Sequence, residues 1–427
     1  NAMAAQRPDN ADPAELWGAL NAPQRDVLSR LAASAEAEGG KALLVGGPVR
    51  DLLRGETLLH DIDVVTTTDA RQVARRFAQQ ARAGVAKTTD FGTATVRARD
   101  GDPSVDLATA RTETYSRPGA LPTVTFPASI DADLHRRDVT INAMALPITP
   151  QGFGTLRDPT GGLADLRAGN IRVLHDATFR DDPTRLYRAA RYAARFGFTV
   201  EPHTATLMRA AIADGALTTI SPDRKRRELD LAIHEPDPVA CFAAFDAFGL
   251  LRATSAALVW DDWVAGRVRR VLPTEWPVWA FFVCRQGDAA VERLLTDLPF
   301  GAIQKPMRLV IRVWRERDVI ARVSRLSTLR PLLEKMSEHV ALALLDGDPA
   351  APRAAAFYAR LDHLARQEMQ WRHSFGNYLK GLGVAPGPVY REILDALRDA
   401  RLDGDVETRE DAEAFVQRQL AEHTPAP

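Results

Sequence analysis

The chain has 427 residues, 45% of them hydrophobic and 26% charged, which allows two to four domains with real cores and excludes a largely disordered chain. Its formal net charge of −1 argues against a uniformly basic nucleic-acid binder, yet residues 303 to 335 carry nine Lys/Arg against three acids and residues 180 to 228 carry ten against six. A neutral total therefore leaves room for basic faces. Only two cysteines occur, Cys241 and Cys284, far apart and in apolar surroundings. They argue against a disulfide framework or a cysteine zinc site and set the expectation of a cytoplasmic protein. No stretch reaches the roughly 18 uncharged apolar residues of a membrane span.

In chain order, residues 4 to 13 read as a loose, Pro/Asp/Ala-rich terminus, and the Ala/Leu-rich residues 14 to 38 predict a helix. From 42 to about 148 strands and helices are mixed. The strand candidates are 42–45, 62–66, 93–98, 104–109 and 143–148, with helices at 48–54 and 69–82. After residue 165 strand signals nearly vanish. Long Ala/Leu/Arg helical patterns run from about 183 onward, broken at SPD (221–223), EPDP (235–238), LPTEWP (272–277), GDPAAPR (347–353) and GVAPGP (383–388). The expectation is a small α/β head followed by an all-helical remainder.

The chemistry concentrates near the first strands. Gly46-Gly47 falls at a strand end, where ligands collect in α/β sheets, and lets the backbone approach a ligand without a Cβ clash. Pro48 suits the first turn of a helix, and the helix start with Arg50 one turn in offers amides and a guanidinium to a triphosphate. A plain tight turn explains the glycines equally well when they are taken alone. Asp61 and Asp63 sit two apart in a strand, so both point to one face while Ile62 and Val64 point inward. Close carboxylates repel unless a cation lies between them, and hard oxygen donors suit Mg²⁺. Asp106, in the alternating run 104–109, supplies a third acid if that strand pairs beside the first. Three carboxylates holding two Mg²⁺ ions are the usual apparatus for in-line attack of a hydroxyl on a nucleoside triphosphate.

Several motifs carry a resemblance. LVGGPVRD, HDIDVVTT, DLHRRDVTINAMAL (133–146), DPTGGLADLRAGNIR (158–172), DDPTRLYRAARYAARFGF (181–198) and SPDRKRREL (221–229) follow in order. Over residues 40 to 235 the chain resembles the bacterial-type (class II) tRNA nucleotidyltransferase and poly(A) polymerase family. The resemblance implies an α+β fold: a small mixed-sheet nucleotidyltransferase head of the DNA polymerase β type, then an all-helical neck, body and tail. On this chain the head would span 20–150, the neck 151–240, and a tRNA-binding body and tail 241–427.

The resemblance also implies an activity, the addition of C and/or A to the 3′ end of tRNA from CTP and ATP, without a nucleic-acid template and with two Mg²⁺ ions. A poly(A) polymerase and a noncatalytic RNA-binding relative are the alternatives. Asp61, Asp63 and Asp106 would hold the metal, the first two matching the family's ligands. Gly46, Gly47 and Arg50 would contact phosphate and Arg137 the nucleotide. Asp138 and Asn142 would shape the sugar pocket, and Asp182 with Arg185 would read the base. Arg188 and Arg191, three and six residues beyond Arg185, match triphosphate-binding arginines. Asp181 and Asp223 stand where the family has glutamate. The segment between Arg111 and Arg136 lacks the acid-Gly-Arg element of many complete CCA-adding enzymes and is similar to the shorter loop of relatives that add only CC or only A.

In the helical remainder, Arg308, Arg312, Arg315 and Arg322 recur at i, i+4, i+7 and i+14 on one expected helix, opposite Leu309, Val310, Val313 and Ile320. They read either as an RNA-backbone groove or as a solvated amphipathic face. Trp371-Arg372-His373 could stack on an RNA end, and the scattered histidines after residue 180 give no sign of an appended phosphohydrolase domain.

Overall fold

A computed structural model describes residues 11–57, 61–81, 84–97, 103–271, 277–370 and 375–423. The side chains of 61, 81, 84–86, 369, 370 and 423 fall outside that description, as does Trp371-Arg372-His373. The chain divides into two compact units, residues 1–254 and 255–427.

The first unit opens with two helices where the sequence suggests one. α1 (Pro13–Gly18) and α2 (Ala22–Ala37) are separated by a capping box, with Asn21 accepting from the Gln24 amide and Gln24 accepting from the Asn21 amide. Those reciprocal bonds satisfy amides that a continuous helix would have paired internally, so the break costs little.

The head that follows comprises β1 (Ala42–Val45), α3 (Gly47–Leu53), β2 (Asp61–Thr66), α4 (Ala70–Ala81), β3 (Gly84–Thr89), β4 (Thr93–Arg97) and β5 (Ser104–Thr109). Next come β6 (Thr112–Thr114), β7 (Thr123–Thr125), α5 (Ile130–His135), β8 (Ala145–Thr149) and β9 (Gly152–Phe153). Seven strands form one mixed sheet in the order β3-β4-β5-β2-β1-β8-β9. β2 and β5 run parallel and the remaining neighbours antiparallel. Strand β3 and the β6–β7 hairpin were not expected from the sequence.

β2 shows why the sheet exposes acids at one end. Ile62 and Val64 are about 1% exposed, on the face that α2 and α4 help cover. On the other face Val65 packs with Leu43, Val45, Ala110, Leu134 and Ala145 beneath α5. Asp63, two residues earlier on that face, lies beyond this cover and is exposed.

The rest of the unit is helical apart from the two-residue strands β10 (Asn170–Ile171) and β11 (Thr199–Val200), which pair in parallel. Its helices are α6 (Gly162–Ala168), α7 (Thr178–Asp181), α8 (Thr184–Phe196), α9 (Pro202–Ala213), α10 (Pro222–Ile233), α11 (Pro238–Ala247) and α12 (Leu250–Thr254). α8 packs against α10 and α11 through Leu186, Tyr187, Ala189 and Ala190, each essentially fully buried. The second unit is helical among its described residues. Both cysteines are buried and unbridged, and burial pushes each thiol up to about 12. Among the described residues no helix is long and apolar enough to cross a membrane.

One expected helix of the second unit is two. Gln304–Arg315 ends at Glu316 and Arg317–Arg322 starts anew, so the four spaced arginines do not share one continuous face. Val310, Val313 and Ile320 are fully buried, as an amphipathic reading requires.

Candidate nucleotide site

Within the first unit, head strands and neck helices enclose a cavity of about 560 Å³. Gly46, Gly47, Arg50, Asp63, Arg137, Asp138, Asn142, Asp182, Arg185, Arg188 and Arg191 all line it, so eleven of the thirteen head and neck site residues singled out from sequence converge. Asp106 is not among the lining residues, and the Asp61 side chain is outside the described set. Glu113, Tyr115, Leu121, Pro122, Arg136, Thr184, Tyr192, Arg195 and Arg224 line the cavity too, and sequence reading missed them. Eight arginines against four carboxylates leave a formal excess of four positive charges around it. That excess matches the charge of a nucleoside triphosphate, and the volume suits one small ligand.

At the carboxylate end, the parallel register places Asp63 directly beside Asp106. Both are exposed, and the Thr95 hydroxyl orients Asp106 by donating to Oδ1 at 2.6 Å. Hard oxygen donors on neighbouring strands fit Mg²⁺. Among the described residues, which leave out the Asp61 side chain, no three His, Cys, Asp or Glu gather around one point.

A second group of lining residues begins at the turn from β1 into α3. Gly46 adopts φ +73°, and a Cβ there would lie 2.9 Å from Arg137 Nη1, so only glycine permits the arginine to cross the turn. Arg50 is buried, donating from Nε and Nη2 to Asp51 Oδ1 at 2.8 Å each and from Nη1 to Asn142 Oδ1 at 2.6 Å. Asn142 Nδ2 donates onward to Asp138 Oδ1 at 3.3 Å, and Arg188 of α8 donates to Asp138 Oδ2 at 2.8 and 2.6 Å. One polar chain therefore runs from α3 through the RRD segment to α8. Burial alone would raise the Asp138 carboxyl. The Arg188 guanidinium outweighs it, helped by bonds from Val139 N and Asn142, and holds the group down at about 2. The same pair raises Arg188. Arg191, expected at the triphosphate, is buried and donates to Glu235 at 2.7 Å, so its charge is already partnered.

On the neck side, the α7–α8 junction brings Asp182 and Arg185 to the cavity. Asp182 Oδ1 accepts from Thr184 N at 3.1 Å, Thr184 Oγ1 at 2.6 Å and Arg224 Nη2 at 2.7 Å. Among the described residues Oδ2 accepts none of these bonds. Arg185 Nη1 donates to Thr178 Oγ1 and Nη2 to the Arg136 carbonyl, each at 2.7 Å, which fixes its plane. Arg185 Nη2 also reaches the Tyr115 hydroxyl at 3.5 Å, and that hydroxyl is pushed up to about 12, chiefly by burial. Arg136, missed from sequence, is held by Asp133 and by Glu113 at 2.9 Å.

The four body arginines lie elsewhere, in the second unit. Arg308 pairs with Glu292 at 2.9 Å, Arg312 with Glu316 at 2.6 Å and Arg315 with Asp288 at 2.5 Å. Arg322 is exposed and has no acidic partner among the described residues.

Similarity to known proteins extends over most of the chain. The Poly A polymerase head domain matches residues 42–172, and the probable RNA and SrmB-binding site of polymerase A matches 197–254. The A-adding tRNA nucleotidyltransferase of Geobacter sulfurreducens is 35% identical over 86% of this chain, which spans 44% of that protein's length. That of Halalkalibacterium halodurans is 31% identical over 91% of both chains, and the CC-adding tRNA nucleotidyltransferase of Deinococcus radiodurans 30% over 96% and 97%. A CCA-adding enzyme in its apo form superposes with a TM-score of 0.79 over 96% of this chain and 98% of its own, at 25% identity. The chain belongs to the class II tRNA nucleotidyltransferase and poly(A) polymerase family.

Proposed function

We propose that this chain extends the 3′ end of tRNA, transferring AMP from ATP to an acceptor ending in CC. The observation that carries the reading is one cavity lined together by the Asp63 carboxylate, eight arginines and the Asp182–Arg185 pair. In the transfer, the terminal 3′-hydroxyl oxygen bonds to the α-phosphorus, the α–β bridging oxygen leaves with pyrophosphate, and the hydroxyl proton is released. Asp63 and Asp106, with Asp61, would hold Mg²⁺, which when bound lowers the pKa of the hydroxyl and neutralises charge on the leaving group. Arg50 and Arg137 hold the triphosphate in line across the Gly46 turn. Asp182 Oδ2 accepts from the adenine amino group and Arg185 donates to the neighbouring ring nitrogen, an edge that uracil and guanine do not offer.

Terminal A addition is supported by the relatives of that name at 35% and 31% identity, and by a segment between Arg111 and Arg136 folded as a short hairpin. CC addition is the second reading, supported by the Deinococcus relative, which aligns over nearly its whole length. The test incubates the protein with tRNA transcripts ending at the discriminator base, at C, or at CC, each with labelled CTP or ATP. One A added to CC-ended tRNA alone is the expected result. Two C residues on the shortest transcript would establish CC addition, long A tails on unrelated RNA a poly(A) polymerase, and no incorporation a noncatalytic binder.

A further inference from the structure

The last turn of α8 presents an aromatic ladder to the head. Tyr192 and Phe196 lie one helical turn apart and stack at 6.1 Å with 19° between planes, and Phe198 continues the row at 5.6 Å. α3 and the residue that caps it present a matching pair, Arg50 and Arg54, also four apart. The Arg50 guanidinium carbon lies 4.6 Å from the Phe196 centroid and 5.9 Å from that of Tyr192, and Arg54 lies 4.5 Å from Phe196 and 5.6 Å from Phe198. Arg195 approaches Phe196 at 5.3 Å. Three guanidinium groups thus gather on one half-buried ring. The polar bonds do not fully account for them: Arg54 Nη1 is buried and has no hydrogen-bond acceptor, although Arg54 pairs with Glu56 through Nη2.

We infer that Phe196, backed by Tyr192, is a positioning residue that holds Arg50 at the phosphate end of the cavity and makes nucleotide affinity depend on how the head meets the neck. The physical argument rests on what Arg50 would do without the ring. Its hydrogen bonds go to Asp51, its neighbour on the same helix, and to Asn142, so they fix where the guanidinium ends but leave one flat face uncovered. The ring covers that face and attracts the cation through its quadrupole, at no cost in desolvated acceptors. A carboxylate in the same place would neutralise the charge the triphosphate needs. An aromatic ring immobilises Arg50 without setting a second carboxylate beside a guanidinium that already pairs with Asp51 at 2.8 Å.

The inference rests on the proposed reading of the cavity as a triphosphate site, and the test separates the two. ATP binding and steady-state kinetics are measured for the full chain, with Phe196→Leu, which keeps apolar volume, and Phe196→Tyr, which keeps the ring. The expected result is a rise of about three- to thirtyfold in KM for ATP with Leu, the range a cation–π contact spans. Accompanying it are kcat within about twofold, unchanged KM for tRNA, and near-wild-type values with Tyr. In an Arg50→Ala background the Leu substitution should add nothing. An unchanged KM with Leu, or an equal effect in the Arg50→Ala background, would overturn the inference. Should Leu not fold, Phe196→Met replaces it under the same criteria. If the wild-type protein itself binds no nucleotide, it is the triphosphate reading that fails.

Discussion

Gly46 is the residue on which the proposed phosphate contacts depend most directly. Its φ of +73° and the 2.9 Å approach of Arg137 to the missing Cβ penalise any side chain twice, once in backbone strain and once in displacing the guanidinium. Gly46→Ala should destabilise the fold by about 1–3 kcal/mol from the positive-φ backbone alone, and should raise KM for ATP more than it raises KM for tRNA. Thermal unfolding and separate titrations of the two substrates measure both parts. Asp138 gives a pH-dependent counterpart. Its folded-state carboxyl is held at about 2, below its ordinary value of 3.8, so the associated stability is present above pH 4 and is lost as pH falls toward 2. That stability is on the order of 2 kcal/mol for a shift of this size. Asp138→Asn should lower the unfolding temperature at pH 7 and flatten its dependence between pH 4 and 2. A parallel acid dependence in both proteins would place the acid-labile group elsewhere.

At the scale of elements, the feature that sequence could not show is how the β6–β7 hairpin meets the neck. Arg224, at the start of α10, donates from Nη1 to the Gly119 carbonyl at 2.8 Å and from Nη2 to Asp182 at 2.7 Å. Gly119 also donates to the Arg180 carbonyl at 3.2 Å, and a Cβ at that glycine would meet Thr219 at 2.2 Å. One guanidinium thereby ties the loop between the two strands to a carboxylate in the proposed base-reading pair. Arg224→Ala should raise KM for ATP by about tenfold, the loss expected for one to two charge-assisted bonds, and should speed proteolysis between residues 115 and 122. Arg224→Lys, with no fork, should recover the fold and only part of the affinity. The acids of β2 and the glycines of β1 were legible because strand alternation and a turn are local patterns of a few residues. Arg224, Glu113 and Tyr115 carry no such pattern: only packing of a hairpin against a helix more than a hundred residues away makes them part of one wall. The break between α1 and α2 was legible in principle, since Asn21 and Gln24 have capping-box spacing, but the alanine-rich periodicity on either side masked it.

For the whole molecule the question is where a tRNA would be gripped. On the proposed reading, head and neck supply a site for the terminal nucleotide, whereas affinity for a polyanion of tRNA size needs several further phosphate contacts. The spaced arginines of the second unit are the candidates, but their pairing divides them. Arg308, Arg312 and Arg315 each face a carboxylate, and an exposed ion pair contributes little to stability, so any of them can exchange its acid for a phosphate at small cost. Among the described residues Arg322 has no acid to exchange. The kinked junction at Glu316 separates it from the other three, so contact with all four would require a backbone that bends or a second strand. Arg322→Ala should therefore weaken tRNA binding more than Arg315→Ala. Each lost phosphate contact should reduce the slope of log affinity against log salt by about one, with KM for ATP unchanged. Filter binding of tRNA across a salt series reads both quantities. Equal affinities and slopes in wild type, Arg322→Ala and the Arg308→Ala/Arg312→Ala double variant would mean that this face is an ordinary solvated one and that the tRNA body is held elsewhere on the chain.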